Sequence, residues 1–86
     1  MKKTVKIFKA LSDELRIRIL KLLEEKNELC VADIMDILNI SQSRASRNLG
    51  ILRDAELIRD RRDGNCVFYS LEPKFKDFIN NLVQIK

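Results

Sequence analysis

The stretch Ile40 to Leu57, ISQSRASRNLGILRDAEL, constrains the fold of this 86-residue chain more than any other. Ser41 is a good N-cap, Ile40 before it can staple onto Ala45, and no proline or β-branched run interrupts the residues after it. A helix starts here. At 3.6 residues per turn Ala45, Leu49 and Leu52 share one stripe, while Ser43, Arg47, Gly50 and Asp54 lie opposite, with Ser46 at the edge. One side packs and the other is free. The outward set is small, hydroxylated, cationic and glycine-containing, a combination that lets a helix backbone sit deep in a groove and hydrogen-bond to phosphates and base edges. A face serving solubility alone would more often carry Glu and Lys.

The segments before it supply a brace. Val5, Phe8 and Leu11, with Ile7 beside them, fall at helical spacing over residues 4–11. Ser12 can cap a second helix whose first turn holds Asp13 and Glu14 and whose body is LRIRILKLLEE. Leu15 to Ile19 alternates like a strand, yet Leu15, Ile19, Leu22 and Leu23 restore the helical period over the longer window. Arg16 and Arg18 point to different sides of that helix, and solvation is the expected role of at least one of them. After the polar break Lys26-Asn27-Glu28, a third helix is expected over residues 29–38, ended by Asn39. This helix, a turn centred on residues 39–41 and the polar-faced helix form a helix-turn-helix over residues 29–55, in which the third helix braces and the fourth enters a major groove.

Beyond Leu57 the period changes. Residues 57–62 form an extended basic stretch, Asp63-Gly64 is a tight-turn signal, and CVFYSL is rich in β-formers, which predicts a hairpin over residues 57–71. Arg59, Arg61 and Arg62 on its first strand, directly after the polar-faced helix, make it the wing of a winged helix whose tip can reach a neighbouring backbone or minor groove. The competing reading is an ordinary hairpin whose arginines keep an edge strand soluble. Glu72-Pro73 then opens a last helix over residues 73–85, with Phe75, Phe78, Ile79, Leu82 and Val83 in one stripe and Ile85 close to the seam. So apolar a stripe on so small a domain predicts a partner subunit: Phe75, Phe78, Ile79 and Leu82 against Val5, Phe8 and Leu11 of the first helix in a two-fold dimer. Packing of both terminal helices onto their own domain is the alternative.

The expected fold class is therefore mainly α with a small β-hairpin, a winged helix-turn-helix in the order α-α-α-α-β-β-α, as one domain over residues 1–86. Charged residues make up 35% and hydrophobic residues 45%, which fits a globular chain, and no apolar run approaches the roughly 18 residues of a membrane span. No membrane association is expected. The start MKKTVKIFKALSDE has neither an uninterrupted apolar core nor a small-residue cleavage site, so a cytoplasmic location is expected. A net charge of +4 favours a polyanionic partner, here double-stranded DNA. The chain has no histidine, no Gly-rich phosphate loop and no nucleophile with a base at visible spacing, so an enzyme is not expected. A winged-helix module that docks proteins, its basic faces merely solvated, is the rival class.

FKALSDELRIRILKLL, ELCVADI, ISQSRASRNLGILRDAELI and RRDGNCVFYSL together resemble the ArsR-type winged-helix repressors, the arsenical-resistance and metal-sensing regulators of bacteria and archaea. The resemblance covers nearly the whole chain and is strongest in SQSRASRNLGILRDAEL and the RRDG after it. It implies a homodimeric repressor that binds a pseudo-palindromic operator and lets go when an inducer binds. On matching residues it implies DNA contacts from Ser41, Gln42, Ser43, Ser46 and Arg47 in the helix and from Arg61, Arg62 and Gly64 in the wing. Four departures stand against it. Arsenic-sensing members carry two cysteines in ELCVCDL, whereas Ala32 replaces the second here and leaves Cys30 alone, so a winged-helix repressor with no effector control is the alternative within the family. The family's other sensing site, on the last helix, uses histidines and carboxylates, and this chain has no histidine. Asn48 replaces the histidine common after the helix arginine, which would alter operator preference. Glu56 replaces a glycine suited to a left-handed helix end, which would cost stability or lengthen the helix. No cofactor and no metal site are expected. Cys30 and Cys66 are expected to be reduced thiols that act as small buried apolar side chains, with Cys66 not approaching Cys30 closely within one subunit. The alternative is a thiol switch at either, through oxidation, a persulfide or a soft metal bridging two subunits.

Overall fold

A computed structural model describes residues 1–84. Helix α1 (Lys2–Leu11) is followed by α2 (Glu14–Lys26), a short strand β1 (Glu28–Cys30), then α3 (Val31–Leu38) and α4 (Gln42–Asp54). Strands β2 (Ile58–Asp63) and β3 (Cys66–Leu71) form the hairpin, and a 3-10 turn at Pro73–Phe75 leads into α5 (Lys76–Val83). Ile85, expected at the seam of the last helix, lies outside the described residues.

Local chemistry sets the boundaries. Asp13, not Ser12, caps α2: its carboxylate accepts from the Leu15 and Arg16 amides at 2.8 and 3.2 Å. A carboxylate also complements the positive helix end, which a hydroxyl cannot. Ser12 instead finishes α1, its hydroxyl donating to the Lys9 carbonyl at 2.7 Å. Asn39 ends α3 in the left-handed region, with φ 53°, and Ser41 caps α4 by accepting from the Arg44 amide at 3.2 Å. At the far end of α4 the Glu56 amide donates to the Arg53 carbonyl and the Leu57 amide to the Leu52 carbonyl, at 2.9 and 3.1 Å. That pair of bonds is a Schellman closure, and it holds Glu56 at φ 60°. The helix is not lengthened.

The third helix is shorter than expected because Glu28–Cys30 is strand. Glu28, Leu29 and Cys30 pair antiparallel with Ser70, Tyr69 and Phe68, giving a sheet in the order β1-β3-β2. A three-residue strand needs partners rather than periodicity, and β3 supplies them. In the hairpin Asp63 pairs with Cys66 across a two-residue turn, and Gly64 takes the φ of +62° that a primed turn demands at its first position.

The core gathers Ile19, Leu20 and Leu23 of α2, Ile34 of α3, Leu49 and Leu52 of α4, Leu57, Ile58 and Leu71 around the sheet, and Ile79 of α5. Ile79 is a correction to the expected dimer surface: α5 packs on α2, and Ile79 is fully buried inside its own domain. On a two-turn helix Phe75, Ile79 and Val83 share the inward stripe, which uses up most of the apolar face. Leu11 and Phe75 are half-buried against the same core, and Leu82 is half-buried. Val5, Phe8 and Phe78 are the members of the expected dimer set that stay exposed.

Candidate nucleic-acid interface

Helix α4 is held from one side and open on the other. Ala45, Leu49 and Leu52 are fully buried, while Ser41, Gln42, Ser43, Ser46 and Arg47 are all exposed. The Ser41 and Ser43 hydroxyls lie 3.3 Å apart at the helix start, so the capping oxygen and its neighbour form one small polar ledge. Among the described residues, the Arg47 side chain has no hydrogen-bond or ion-pair partner, and its guanidinium is free to fork onto an external acceptor pair. A Cβ built on Gly50 meets nothing within 4 Å, so the fold itself does not require glycine there.

The three wing arginines do not behave alike. Arg59 pairs with Glu72 at 3.1 Å. Arg61 donates through Nε and Nη2 to both carboxylate oxygens of Glu28, at 3.1 and 2.8 Å, and lies 4.8 Å above the centroid of the Phe68 ring. The clamp spans the sheet, from the edge strand β2 over β3 to β1. The Arg61 hydrogen bonds hold the Glu28 carboxyl below the usual carboxylate range. Arg62 alternates to the opposite face of β2, shared with Ile58 and Asp60, and has no internal partner among the described residues. Gly64 is exposed at the hairpin tip. Of the two wing arginines expected to contact DNA, Arg62 is thus available and Arg61 is already paired.

Two residues that matter to α4 take roles the sequence did not announce. Of the α2 arginines, Arg18 is the solvated one, with a side chain 63% exposed, while Arg16 has a side chain only 13% exposed that donates to the Lys9 and Ala10 carbonyls of α1 and to the Asn48 amide oxygen of α4. Asn48, 4% exposed, is the only buried polar side chain among the described residues, and its amide nitrogen donates to the Arg44 carbonyl at 2.8 Å. Extending the stripe of Ala45, Leu49 and Leu52 by the i+3 rule includes Asn48 and signals a polar group in the core.

The cysteines are also placed differently. Cys66 is exposed, and Cys30 is half-buried with its thiol donating to the Asp33 carboxylate at 3.1 Å, so neither serves as core filling. Cys30 pairs with Phe68, two residues along β3 from Cys66, which sets the two residues diagonally on one sheet face. No group of three His, Cys, Asp or Glu able to hold a metal ion occurs among the described residues, and no helix there is long and apolar enough to cross a membrane.

A braced helix with an open polar face, set after a tight turn and flanked by a charged hairpin, defines a winged helix-turn-helix regulator. The chain belongs to the arsR family of bacterial regulatory proteins, whose sequence profile matches residues 13–60, more than half of its length. It is 40% identical over 79 residues to the arsenic resistance transcriptional regulator ArsR2 of Pseudomonas putida, covering 92% of this chain and 69% of that protein. It is 45% identical over 69 residues to the arsenical resistance operon repressor of Escherichia coli, covering 80% of this chain and 59% of that one. HlyU from Vibrio cholerae superposes with a TM-score of 0.86 at 36% identity, over 96% of this chain and 90% of that chain. A homodimeric winged helix-turn-helix DNA-binding domain from Mycobacterium bovis, a possible ArsR-family regulator, gives 0.87 at 28% identity over 96% of this chain and 76% of that one. These relatives are regulators, and the chain is a transcriptional regulator rather than an enzyme.

Proposed function

We propose that this chain is the protomer of a homodimeric cytoplasmic repressor that inserts α4 into the major groove at each half of a pseudo-palindromic operator. One observation carries the reading: the exposed Ser43, Ser46 and unpaired Arg47 ride on a helix whose other face is seated in the core by fully buried side chains. Lys and Arg displace counterions from phosphates, which supplies attraction without sequence preference. Ser41 and Gln42 sit at the α4 N-terminus, where backbone amides favour a phosphate. Ser43, Ser46 and Arg47 test base edges, and Arg47, paired bidentately with guanine, supplies the main discrimination. Arg62 and the Gly64 tip lie along the neighbouring backbone, and Arg61 contributes only where Glu28 releases it. Val5, Phe8 and Phe78 form the centre of the two-fold contact, with Leu11, Phe75 and Leu82 at its margin. The homodimeric M. bovis domain of the same fold supports that assembly.

The test titrates Arg47→Ala and Arg62→Ala against a selected operator and a scrambled duplex at several salt concentrations. Arg47→Ala is expected to cost about 1–3 kcal/mol on the operator and little on the scrambled duplex, whereas Arg62→Ala weakens both and lowers the salt slope by about 1. Equal, salt-independent losses in the two variants overturn the assignment. Failure of the unaltered protein to bind any duplex at low salt overturns the function.

A further inference from the structure

The polar chain through Arg16 joins three helices by directional hydrogen bonds, which fix their relative rotation more sharply than hydrophobic packing alone. Its Nε donates at 2.8 Å to the Ala10 carbonyl, one of the C-terminal carbonyls that α1 cannot satisfy itself, and its Nη2 at 3.3 Å to the Lys9 carbonyl, which the Ser12 amide and hydroxyl also engage. Its Nη1 donates to the Asn48 amide oxygen at 2.9 Å, and Asn48 closes the chain onto the Arg44 carbonyl within α4. Asp13 lies 3.9 Å from the guanidinium and balances its charge. No buried side-chain nitrogen or oxygen among the described residues lacks a hydrogen-bond partner.

Apolar burial is non-directional, so the contacts of Ala45, Leu49 and Leu52 resist withdrawal of α4 more than its rotation or a shift along its own axis. Hydrogen bonds weaken steeply with angle, and a planar guanidinium that engages α1 and α4 together tolerates neither movement. Helix α1 carries the exposed Val5 and Phe8, and α4 carries the exposed Ser43, Ser46 and Arg47. The Arg16 fork is therefore a direct hydrogen-bonded link between the surface that would meet a second copy and the surface that would meet DNA.

Building on the function proposed above, we infer that Arg16 and Asn48 are positioning residues for operator spacing. By fixing α4 against α1 they set the distance and relative rotation of the two reading helices in the dimer, and so the half-site separation that the protein accepts. Neither residue touches the duplex. Dimer recognition requires half-sites about one helical turn apart, and a displacement of one base pair both shifts and rotates a half-site. A rigid link punishes that displacement, and a loosened one forgives it.

The experiment uses the full chain and a duplex selected by it from random sequence, resynthesised with the half-site separation changed by one base pair in each direction. The unaltered protein is expected to lose about tenfold or more in affinity for either altered duplex, in line with the roughly 1–3 kcal/mol that one misplaced base contact costs. Arg16→Lys, which keeps the charge but loses the fork, and Asn48→Leu should each reduce that penalty to about threefold or less. The double variant should flatten the profile no further than either single change, because both break one link. Asn48→Asp keeps an acceptor for Arg16 and should retain most of the penalty. The salt slope should be unchanged throughout, because no phosphate contact is removed. If Asn48→Leu fails to fold, Arg16→Lys and Asn48→Asp decide the matter. A spacing profile as sharp in Arg16→Lys as in the unaltered protein overturns the inference, even where thermal stability falls. Failure of the unaltered protein to select any duplex overturns the function on which the inference rests.

Discussion

Replacing Glu56 by glycine is expected to stabilise the fold, although it removes a charged side chain and an ion pair. Glu56 sits at φ 60° because the Schellman closure of α4 demands a left-handed residue at that point. A side chain there costs roughly 1–2 kcal/mol, and glycine has no such cost. Glycine's extra freedom in the unfolded chain takes back about 0.5–1 kcal/mol. The ion pair between Glu56 and Lys3, at 3.4 Å, joins side chains 52% and 81% exposed, so its removal costs no more than a few tenths of a kcal/mol, at the low end for surface pairs. The net gain is about 0.5 kcal/mol, which in a domain of this size raises the melting temperature by about 2–4 °C. The assay is thermal unfolding at one fixed protomer concentration, because dimerisation couples stability to concentration. Glu56→Ala is the control: it loses the same ion pair and keeps the Cβ, so its melting temperature should equal or fall below that of the unaltered protein. A gain in Glu56→Ala as large as in Glu56→Gly, or a loss in Glu56→Gly, refutes the account of the helix end.

Other perturbations separate the remaining parts of the molecule. Glu28→Gln should release Arg61 and raise affinity for duplexes of any sequence, with a steeper salt slope; unchanged slope and affinity would show that Arg61 stays occupied. The same pair predicts a pH effect. The Glu28 carboxyl is held below its usual range, so the clamp's contribution is present at neutral pH and fades as pH falls through the lowered value. Acid unfolding curves of the unaltered protein and Glu28→Gln should therefore converge as that carboxyl is protonated. Gly50→Ala meets open space in mid-helix and should stabilise the isolated protein by up to about 1 kcal/mol, read as a rise in denaturant midpoint; a loss would mean that the helix needs glycine there. Phe8→Asp should dissociate the proposed dimer in sedimentation while leaving the fold intact, whereas Ile79→Ala should cost about 2–5 kcal/mol of stability through a core cavity. Reversed outcomes would exchange the roles given to α1 and α5.

The helix-turn-helix and the wing are legible because each announces itself within a few residues. Ser41 and Asn39 carry chemistry that defines helix ends, and Gly64 permits a turn that most residues resist. The Ser43, Arg47 and Ala45, Leu49 faces come from the helical period alone. The hidden features depend on partners distant in sequence. Strand β1 exists because β3 offers it a ladder some forty positions later, and three residues hold no period to detect. Arg61 looks free until Glu28 is brought to it across the sheet. Arg16 looks solvated because nothing in its own helix reveals the two α1 carbonyls and the Asn48 oxygen that receive it. Ile79 reads as a partner contact because a stripe shows which residues will be covered but not by what.

Strand β1 has a mechanical consequence. It stitches the hairpin's central strand to the residue immediately preceding α3, so the hairpin is a cantilever whose root is set into the scaffold that supports α4. Load applied at the Gly64 tip reaches that scaffold within one strand length. Engagement at the tip and engagement by the neighbouring helix are then not two independent grips but one lever with two points of purchase, and stiffness lost at its root would be felt at both.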